Sequence, residues 1–521
     1  MKKYVLISIS LICCIGLTIW YALCYSGHIL WQEQNQIFLN SPDWISIYFD
    51  KPGWLGCLAG DWLTQFYHNP WIGAIILTLS IAFCVAGFAK VSLHLLPKLI
   101  GRVLTFLVAV VLIGCSMAAS TRLSFFLCVA GGIVLGLSEF KLSWMERVQI
   151  DLSPILVALS YWAFGLGALL TALIIILFAI KRCVSKQDRK AWIAAVLALL
   201  IGLGLPAILC KAYALPYADA VLYPGLAKPE LPQMKYERRL AISDAFYNQD
   251  FDLVKQLAKD DDNPDDVTAF YYYLSSAVQD SLADNLLKYP VKSLGTLTTI
   301  GEKSHPTIIN MMNDLYYELG DMTYAERAAM MRNVFSPRNR NVRMMQRLAE
   351  INLVSGDTAA ALKYLRILDR THAYSDWSKR HTPGSITSDV ERDILRRRAC
   401  SNDKDNIRLG DNCRNIILEL LESNPRNTVA LDYLLCTDLL LKDMDTFKMD
   451  YDTYCMERVK PRYKDLYQQA LMIYLAGTDA PQGEWERYIK TESQLQLFNQ
   501  YSNRRGDPTF RGTYWYYFDK E

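Results

Sequence analysis

The stretch LSPILVALSYWAFGLGALLTALIIILFAI, residues 152–180, contains no charged side chain. An α-helix rises 1.5 Å per residue, so one helix over this stretch would measure about 43 Å and exceed the roughly 30 Å hydrocarbon layer of a bilayer. The segment Phe164-Gly165-Leu166-Gly167 offers a hinge near its middle. The stretch therefore predicts two membrane spans that run in opposite directions, and one steeply tilted span is the alternative.

The positions of lysine and arginine favour seven spans over six. With seven spans, 12 cationic residues lie on the side of the N-terminus and two, Lys51 and Arg122, lie on the other side, whereas six spans give 7 on each side. Short cytoplasmic loops normally hold the excess of cationic residues, so the N-terminus is predicted in the cytoplasm and the C-terminal domain outside it, in the periplasm of a bacterial inner membrane. The predicted spans are 4–25, 71–95, 102–120, 122–139, 144–163, 166–182 and 191–213.

The composition divides the chain into two predicted domains. Residues 1–214 carry a net charge of +7 and form the predicted transmembrane domain, whereas residues 215–521 carry −5 and are predicted to be soluble. A net negative domain argues against nucleic acid as a partner, because phosphate binding needs a concentrated basic face. No cofactor or metal motif occurs, and six scattered histidines give no ligand set. Cys400 and Cys413 could form a disulfide across residues 401–412, with free thiols as the alternative.

A loop of residues 28–70 follows the first predicted span and is rich in tryptophan, tyrosine and phenylalanine. Such rings favour the membrane interface, so amphipathic surface helices are one interpretation. The other interpretation uses the acidic residues of this loop. Its stretch LWQEQNQIF, residues 30–38, resembles the first outer loop of membrane glycosyltransferases that use polyprenyl-linked sugars, in which an acidic residue follows the first span. That resemblance implies Glu33, or alternatively Asp61, as a catalytic base.

The C-terminal domain is predicted to be all-α, because amphipathic segments alternate with short polar turns. The stretch RMMQRLAEINLVSGDTAAALKYLRILD, residues 343–369, resembles a tetratricopeptide repeat (TPR), with Gly356-Asp357 at its turn. DLYYELGDMTYAERAAMM, residues 314–331, is a second copy, and weaker copies turn at Gln249-Asp250 and Lys442-Asp443. Stacked helix pairs of this kind form an α-solenoid whose concave face binds a protein segment.

At the level of the whole chain, four stretches resemble an uncharacterised bacterial family of multi-pass membrane proteins with TPR-like tails. They are residues 52–74, 424–443, 461–474 and 512–518. The resemblance implies no activity. We therefore expect a polytopic helical bundle followed by a TPR-like domain, and a non-enzymatic protein that binds a protein partner in envelope assembly or export. Enzymatic activity is left open, with the glycosyltransferase as the alternative function.

Overall fold

A computed structural model describes residues 2–141, 146–186, 190–291, 293–298, 305–402, 412–456 and 462–520. Within these ranges the protein is all-helical and has no β-strand, as the sequence predicts. The chain divides into two compact units. The first comprises Met1–Glu237 and Ile367–Asp376, and the second comprises Arg238–Arg366 and Trp377–Glu521.

The first unit contains long apolar helices and several short helices. Four described helices are long and apolar enough to cross a membrane, or five if the bent pair formed by Ser8–Cys24 and Ser26–Gln34 is one span. Two further apolar stretches, Leu123–Ser138 and Ser153–Phe164, are shorter. The helices are α1 (Lys2–Cys24), α2 (Ser26–Gln34), α3 (Pro42–Ser46), α4 (Trp54–Thr64), α5 (Pro70–Leu95), α6 (Lys98–Met117), α7 (Leu123–Lys141), α8 (Glu146–Phe164), α9 (Gly167–Lys186), α10 (Lys190–Leu209) and α11 (Tyr217–Val221), with 3₁₀ turns at Ile47–Asp50 and Gln65–His68.

The stretch 152–180 forms two helices, α8 and α9, that meet at Gly165-Leu166. Gly165 has a φ of +52°, a left-handed conformation that glycine adopts without steric cost. The backbone amide of Leu166 donates to the carbonyl of Tyr223 at 2.8 Å, which satisfies a donor that the break frees. The break lies within the predicted hinge. That both helices cross a membrane stays a prediction, and residues 142–145, where the predicted span 144–163 begins, lie outside the described residues.

Helix α7 packs closely against two neighbours through small residues. On one side Gly56 and Gly60 of α4 lie against Cys128 and Ser124, and on another side Gly132 lies against Gly167 of α9. Pairs of small residues four positions apart allow the backbones of two neighbouring membrane helices to approach closely. This GxxxG spacing is present in the sequence at residues 56–60 and again at 132–136.

The second unit is built from short helices that alternate with turns. Its main core joins residues from Ile242 to Tyr517. The helices, of which α12, α19 and α20 extend into the first unit, are α12 (Met234–Tyr247), α13 (Phe251–Lys259), α14 (Asp266–Val278), α15 (Leu282–Asn285), α16 (Pro306–Leu319), α17 (Met322–Val334), α18 (Val342–Ser355), α19 (Thr358–Leu368), α20 (Ser375–His381), α21 (Ser388–Arg398), α22 (Cys413–Ser423), α23 (Thr428–Leu441), α24 (Met444–Asp450), α25 (Asp465–Gly477), α26 (Gln482–Tyr488), α27 (Glu492–Asn503) and α28 (Tyr514–Lys520), with 3₁₀ turns at Leu294–Thr296, Pro337–Asn339 and Pro508–Phe510 and a π-helical turn at Tyr451–Met456.

Four helix pairs of this unit share one kind of turn. Each first helix is followed by a residue with positive φ, and an aspartate comes next and accepts a hydrogen bond from a backbone amide in the first turn of the second helix. The left-handed residue follows the end of the first helix and the aspartate caps the second, so two residues join the helices in three pairs and three residues, 248–250, join α12 to α13. The four turns are Gln249-Asp250, Gly320-Asp321, Gly356-Asp357 and Lys442-Asp443.

The packing of these helix pairs differs from a simple linear array. Helices α14 and α15 contact α23, and α15 also contacts α25, although more than a hundred residues separate them along the chain. In a linear solenoid each repeat contacts only its neighbours. The second unit therefore combines repeat-like turns with long-range packing that its helix periodicity does not predict.

A buried ladder of arginine and tyrosine side chains connects four helices of the second unit. The Arg343 and Arg347 guanidinium groups lie over the Tyr247 ring at 4.4 and 4.8 Å from its centroid. Arg347 and Arg397 lie over the Tyr317 ring at 3.8 and 4.1 Å. These contacts are cation–π interactions, which strengthen when the cation is shielded from water. The ladder fixes α12, α16, α18 and α21 relative to one another.

Candidate functional site

Glu33, one of the two predicted bases, lies on α2, which bends away from α1 by 72°. Its side chain is buried, with 4% of its surface exposed. The Tyr374 hydroxyl donates to the Glu33 carboxylate at 2.7 Å. Glu33 therefore faces neither bulk water nor an open surface, and a side chain 341 residues away in the sequence supplies a donor to it.

Tyr374 belongs to the segment Ile367–Asp376, which packs as part of the first unit. The backbone amide of Asn40 donates to the carbonyl of Arg370 at 3.2 Å. The rings of Phe66 and His372 lie 5.3 Å apart. These three contacts place the segment on the loop of residues 28–70, so the loop is covered by residues from the distant part of the chain.

Asp61, the other predicted base, lies on the buried face of α4 and is 3% exposed. Its carboxylate accepts from the Arg122 guanidinium at 2.6 Å and from the Tyr48 hydroxyl at 2.7 Å. A paired arginine and a hydroxyl together stabilise the ionised carboxylate in a buried place. Asp61 is therefore held as the anion of an ion pair, with a donor on each oxygen.

Gln36 links the main chain at Glu33 to the main chain at Asp61. The Gln36 backbone amide donates to the Glu33 carbonyl at 3.1 Å, and its side-chain amide donates to the Asp61 carbonyl at 3.1 Å. A general base must reach the proton that it removes with a free lone pair. The hydrogen bonds from Tyr374, Tyr48 and Arg122 occupy part of this capacity, and a catalytic role for either acid stays a prediction.

Replacing Tyr374 with phenylalanine is expected to lower the free energy of unfolding by about 1.5–3 kcal/mol, because a buried carboxylate loses a hydrogen bond. Chemical denaturation of the full chain in detergent measures this change. Tyr463→Phe is the matched control, since that ring is 38% exposed. Adding Glu33→Gln to Tyr374→Phe should recover part of the loss. A Tyr374→Phe variant as stable as the control would contradict the assignment.

Glu237 caps the N-terminus of α2 and was not predicted from the sequence. Its Oε1 accepts from the backbone amide of His28 at 3.0 Å, and the carboxyl group is 5% exposed. Burial raises the pKa of Glu237 from 4.5 to about 7, although the amides of His28 and Gly27 oppose the shift. The positive end of the α2 dipole also favours the carboxylate form. The Glu237 carboxyl group is therefore expected to gain or lose its proton near neutral pH.

The raised pKa of Glu237 predicts that stability falls as the pH rises. The carboxyl group is protonated in both folded and unfolded chains below pH 4.5, and the penalty for ionising it in the folded protein grows up to about pH 7. The full loss is about 3 kcal/mol. Glu237→Gln should remove this dependence and be more stable than the original protein at pH 8. Thermal unfolding between pH 5 and pH 8 measures it, with Glu230→Gln as an exposed control. The same pH dependence of the unfolding temperature in all three proteins would contradict the prediction.

The predicted disulfide residues lie in the second unit as free thiols. Cys400 and Cys413 flank residues 403–411, which lie outside the described residues, so the disulfide stays a prediction. Burial raises the pKa of the Cys413 thiol to about 12, which keeps this thiol protonated at neutral pH. Within the described part of the chain, no group of three or more His, Cys, Asp or Glu side chains is placed to hold a metal ion.

A cleft of about 370 Å³ lies at the C-terminal end of the second unit. Five of its fourteen lining residues are aromatic, and two of these, Trp515 and Tyr501, are almost fully buried. The volume falls within the usual range of sites that take a small molecule or a side chain. The lining residues are Met444, Asp445, Ile473, Tyr474, Ala476, Gly477, Thr478, Phe498, Tyr501, Ser502, Arg505, Trp515, Phe518 and Asp519.

The aromatic C-terminus GTYWYYF, residues 512–518, supplies part of this cleft. The Trp515 indole donates to the Gln469 carbonyl at 2.9 Å, and the Tyr514 hydroxyl donates to the Leu439 carbonyl at 2.9 Å. These bonds anchor α28 on α25 and α23. These residues carry the family resemblance, and their five consecutive aromatic side chains are also a signal for a buried anchor.

Comparison with known proteins gives one family. No curated protein and no solved structure matches the chain. The model of a family of unknown function, DUF6057, matches residues 2–521. The match agrees with the predicted resemblance to an uncharacterised family and assigns no catalytic or binding residue. The chain therefore belongs to the DUF6057 family over its whole described length.

Proposed function

We propose that this protein is a non-enzymatic integral protein of the bacterial inner membrane whose C-terminal domain lies in the periplasm and binds another protein. The apolar helices of the first unit support the membrane assignment. In this proposal α1 and α5–α10 are the seven spans. Envelope assembly or export is the process in which such an anchored binding domain would act.

Contacts of α9 with α5 and α7 support the proposal that α8 and α9 cross the bilayer in opposite directions. The Lys181 ammonium group near the end of α9 donates to the His94 carbonyl near the end of α5 at 2.5 Å. The Thr171 hydroxyl donates to the Gly132 carbonyl at 2.8 Å, which aligns α9 with α7. If α5 and α9 end on one side of the bilayer, α8 must return the chain to the other side. This arrangement keeps the basic segment 181–190 in the cytoplasm.

Cysteine labelling tests this topology. Single cysteines at Lys186 and Tyr364 are introduced into a variant in which the native cysteines that react with a membrane-impermeant maleimide are replaced. Intact cells with a permeabilised outer membrane should label the cysteine at position 364 and leave the one at 186 unlabelled until the inner membrane is opened. Labelling of both positions from the same side would overturn the seven-span topology.

The four shared turns of the second unit carry the proposal of protein binding. A left-handed residue followed by an aspartate cap joins two short helices in each pair, which is the turn that the TPR resemblance implies. TPR-like helix pairs usually present a surface to a protein segment because each pair buries one face and exposes the other. The aromatic cleft adds a concave, partly apolar surface to this unit.

Site-specific photo-crosslinking tests the proposal. A photoreactive amino acid is placed at Tyr474, which lines the cleft, or at Asp262, an exposed control position. Irradiation of cells that express the full chain at its natural level should give one adduct of defined mass from position 474. The adduct should be absent from position 262. Repeated recovery of the chain without any adduct from position 474, or equal adducts from both positions, would overturn the proposal.

The burial of Glu33 leaves a second candidate function, a glycosyltransferase-like enzyme that uses a polyprenyl-linked sugar. Shielding from bulk water is a condition that such a base would need, and Glu33 meets it. Membrane vesicles supplied with a radiolabelled polyprenyl-phosphate sugar test this function. Transfer that is lost in Glu33→Gln or Asp61→Asn and kept in Glu230→Gln would support the enzyme. Equal transfer in vesicles with and without the protein would exclude it.

A further inference from the structure

The aromatic cleft of the second unit collects the C-terminal ends of three helices. Its lining includes the last turns of α25 at Tyr474–Gly477, of α27 at Tyr501-Ser502 and of α28 at Phe518-Asp519. The last carbonyl groups of a helix have no partner within the helix and carry a partial negative charge. Lys442 already donates to the Phe518 carbonyl at the end of α28, so the ends of α25 and α27 are the ones that leave a partial negative charge beside the cleft.

One carboxylate without a partner among the described residues, that of Asp445, adds to this negative charge. Asp445 and Asp519 both line the cleft, and Arg505 is the cation among its lining residues. Arg505 is 76% exposed and pairs with Asp519 at 3.7 Å, so water screens its charge and Asp519 offsets it. Among the described residues Asp445 has no hydrogen bond or ion pair of its own. Asp445 is thus available to a ligand.

The chain's own Lys442 already occupies an environment of this kind, a helix end beside an aromatic ring. The Lys442 ammonium group donates to the Phe518 carbonyl at the end of α28 at 3.1 Å and lies 5.0 Å from the centroid of the Tyr517 ring. It therefore combines a helix C-terminus with an aromatic face. The same combination is present inside the cleft at the end of α25, where Gly477 and Thr478 lie beside Tyr474 and near Phe498. Aromatic faces attract ammonium and guanidinium groups, and shielding from water strengthens the attraction.

We propose that this cleft binds a lysine or arginine side chain of the partner protein, with its cationic group between Asp445 and the end of α25 and its methylene groups against the aromatic walls. The inference rests on the proposed function and names the chemistry of its partner. The cleft volume accommodates one such side chain with part of its backbone. An acidic or purely apolar segment would leave Asp445 and the helix ends without a counter-charge.

Titration of the full-length protein in detergent tests the proposal with small probes. The probes are N-acetyl-arginine amide, N-acetyl-lysine amide, the neutral analogue N-acetyl-citrulline amide, and choline. Saturation-transfer NMR should show that the two cationic amino-acid amides bind at least fivefold more tightly than the citrulline amide. Asp445→Asn should weaken their binding about fivefold. Asp479→Asn removes the same charge from a residue that does not line the cleft and should leave binding unchanged.

The outcomes separate this inference from the proposed function. Equal binding of the arginine and citrulline amides, or equal binding by the original protein and Asp445→Asn, would overturn the cation site even if crosslinking captures a partner. Tighter binding of choline than of both amino-acid amides would overturn the assignment to a protein side chain. Cation-dependent binding that responds to Asp445→Asn supports the site, whatever the crosslinking experiment returns. Unchanged unfolding midpoints of both variants confirm that the comparison concerns binding.

Discussion

Replacing Asp314 with alanine is expected to lower the free energy of unfolding by about 3–5 kcal/mol, because two buried arginine side chains lose this carboxylate as a partner. The Asp314 carboxylate is fully buried and accepts from Arg343 at 2.8 Å and from Arg347 at 3.2 Å. The Tyr271 hydroxyl donates to the same group at 3.1 Å. Without Asp314, Arg343 keeps its contact with the Tyr247 ring but loses its carboxylate partner.

An exposed ion pair in the same unit provides the control for this prediction. Arg396 is 47% exposed and pairs with Asp393 at 2.7 Å. Surface pairs of this kind contribute up to about 1 kcal/mol, so Arg396→Met should change stability little. Urea unfolding of the full chain in detergent, followed by far-ultraviolet circular dichroism, measures both variants. Equal losses for Asp314→Ala and Arg396→Met would show that the buried ladder does not organise the second unit.

Replacing Gly132 with alanine is expected to destabilise the first unit by about 3 kcal/mol or more, because the new Cβ atom would collide with backbone. That atom would lie 2.2 Å from the Gly167 carbonyl oxygen and 2.6 Å from the Gly167 Cα atom. Backbone atoms of α9 cannot rotate away as a side chain can, so α7 and α9 would have to separate. The hydrogen bond from the Thr171 hydroxyl to the Gly132 carbonyl would then be lost.

A glycine in an open position is the control for the packing of α7. The Cβ atom of Gly204→Ala would meet no atom within 4 Å, and Gly204 lies inside α10. Alanine favours helix over glycine by about 1 kcal/mol, so this variant should be as stable as the original protein or more stable. Thermal unfolding midpoints and size-exclusion profiles in detergent compare the two. A monodisperse Gly132→Ala protein with an unchanged midpoint would contradict the close approach of α7 and α9.

The candidate sites divide into residues that the sequence singled out and residues that it did not. Glu33 and Asp61 were visible because acidic residues are unusual in an aromatic loop next to an apolar span. The donors to these two acids gave no such signal. Tyr374 lies far along the chain, and Arg122 stands out in the sequence only as one of the two cationic residues predicted on the side opposite the N-terminus. Glu237 and Asp445 gave no sequence signal, since each is an ordinary acidic residue near a helix start.

The features that were predictable from the sequence depend on local interactions. The all-helical class, the glycine break at residues 165–166 and the four aspartate-capped turns each depend on residues within about four positions of one another, where helix periodicity and capping act. The contacts between distant groups are visible only in the folded chain, where Asp314 meets two arginines, Tyr374 meets Glu33, and three helix ends surround one cleft. The reason is physical, because a buried charge or a helix end must be satisfied by whatever group the packing brings near, and packing depends on the whole chain.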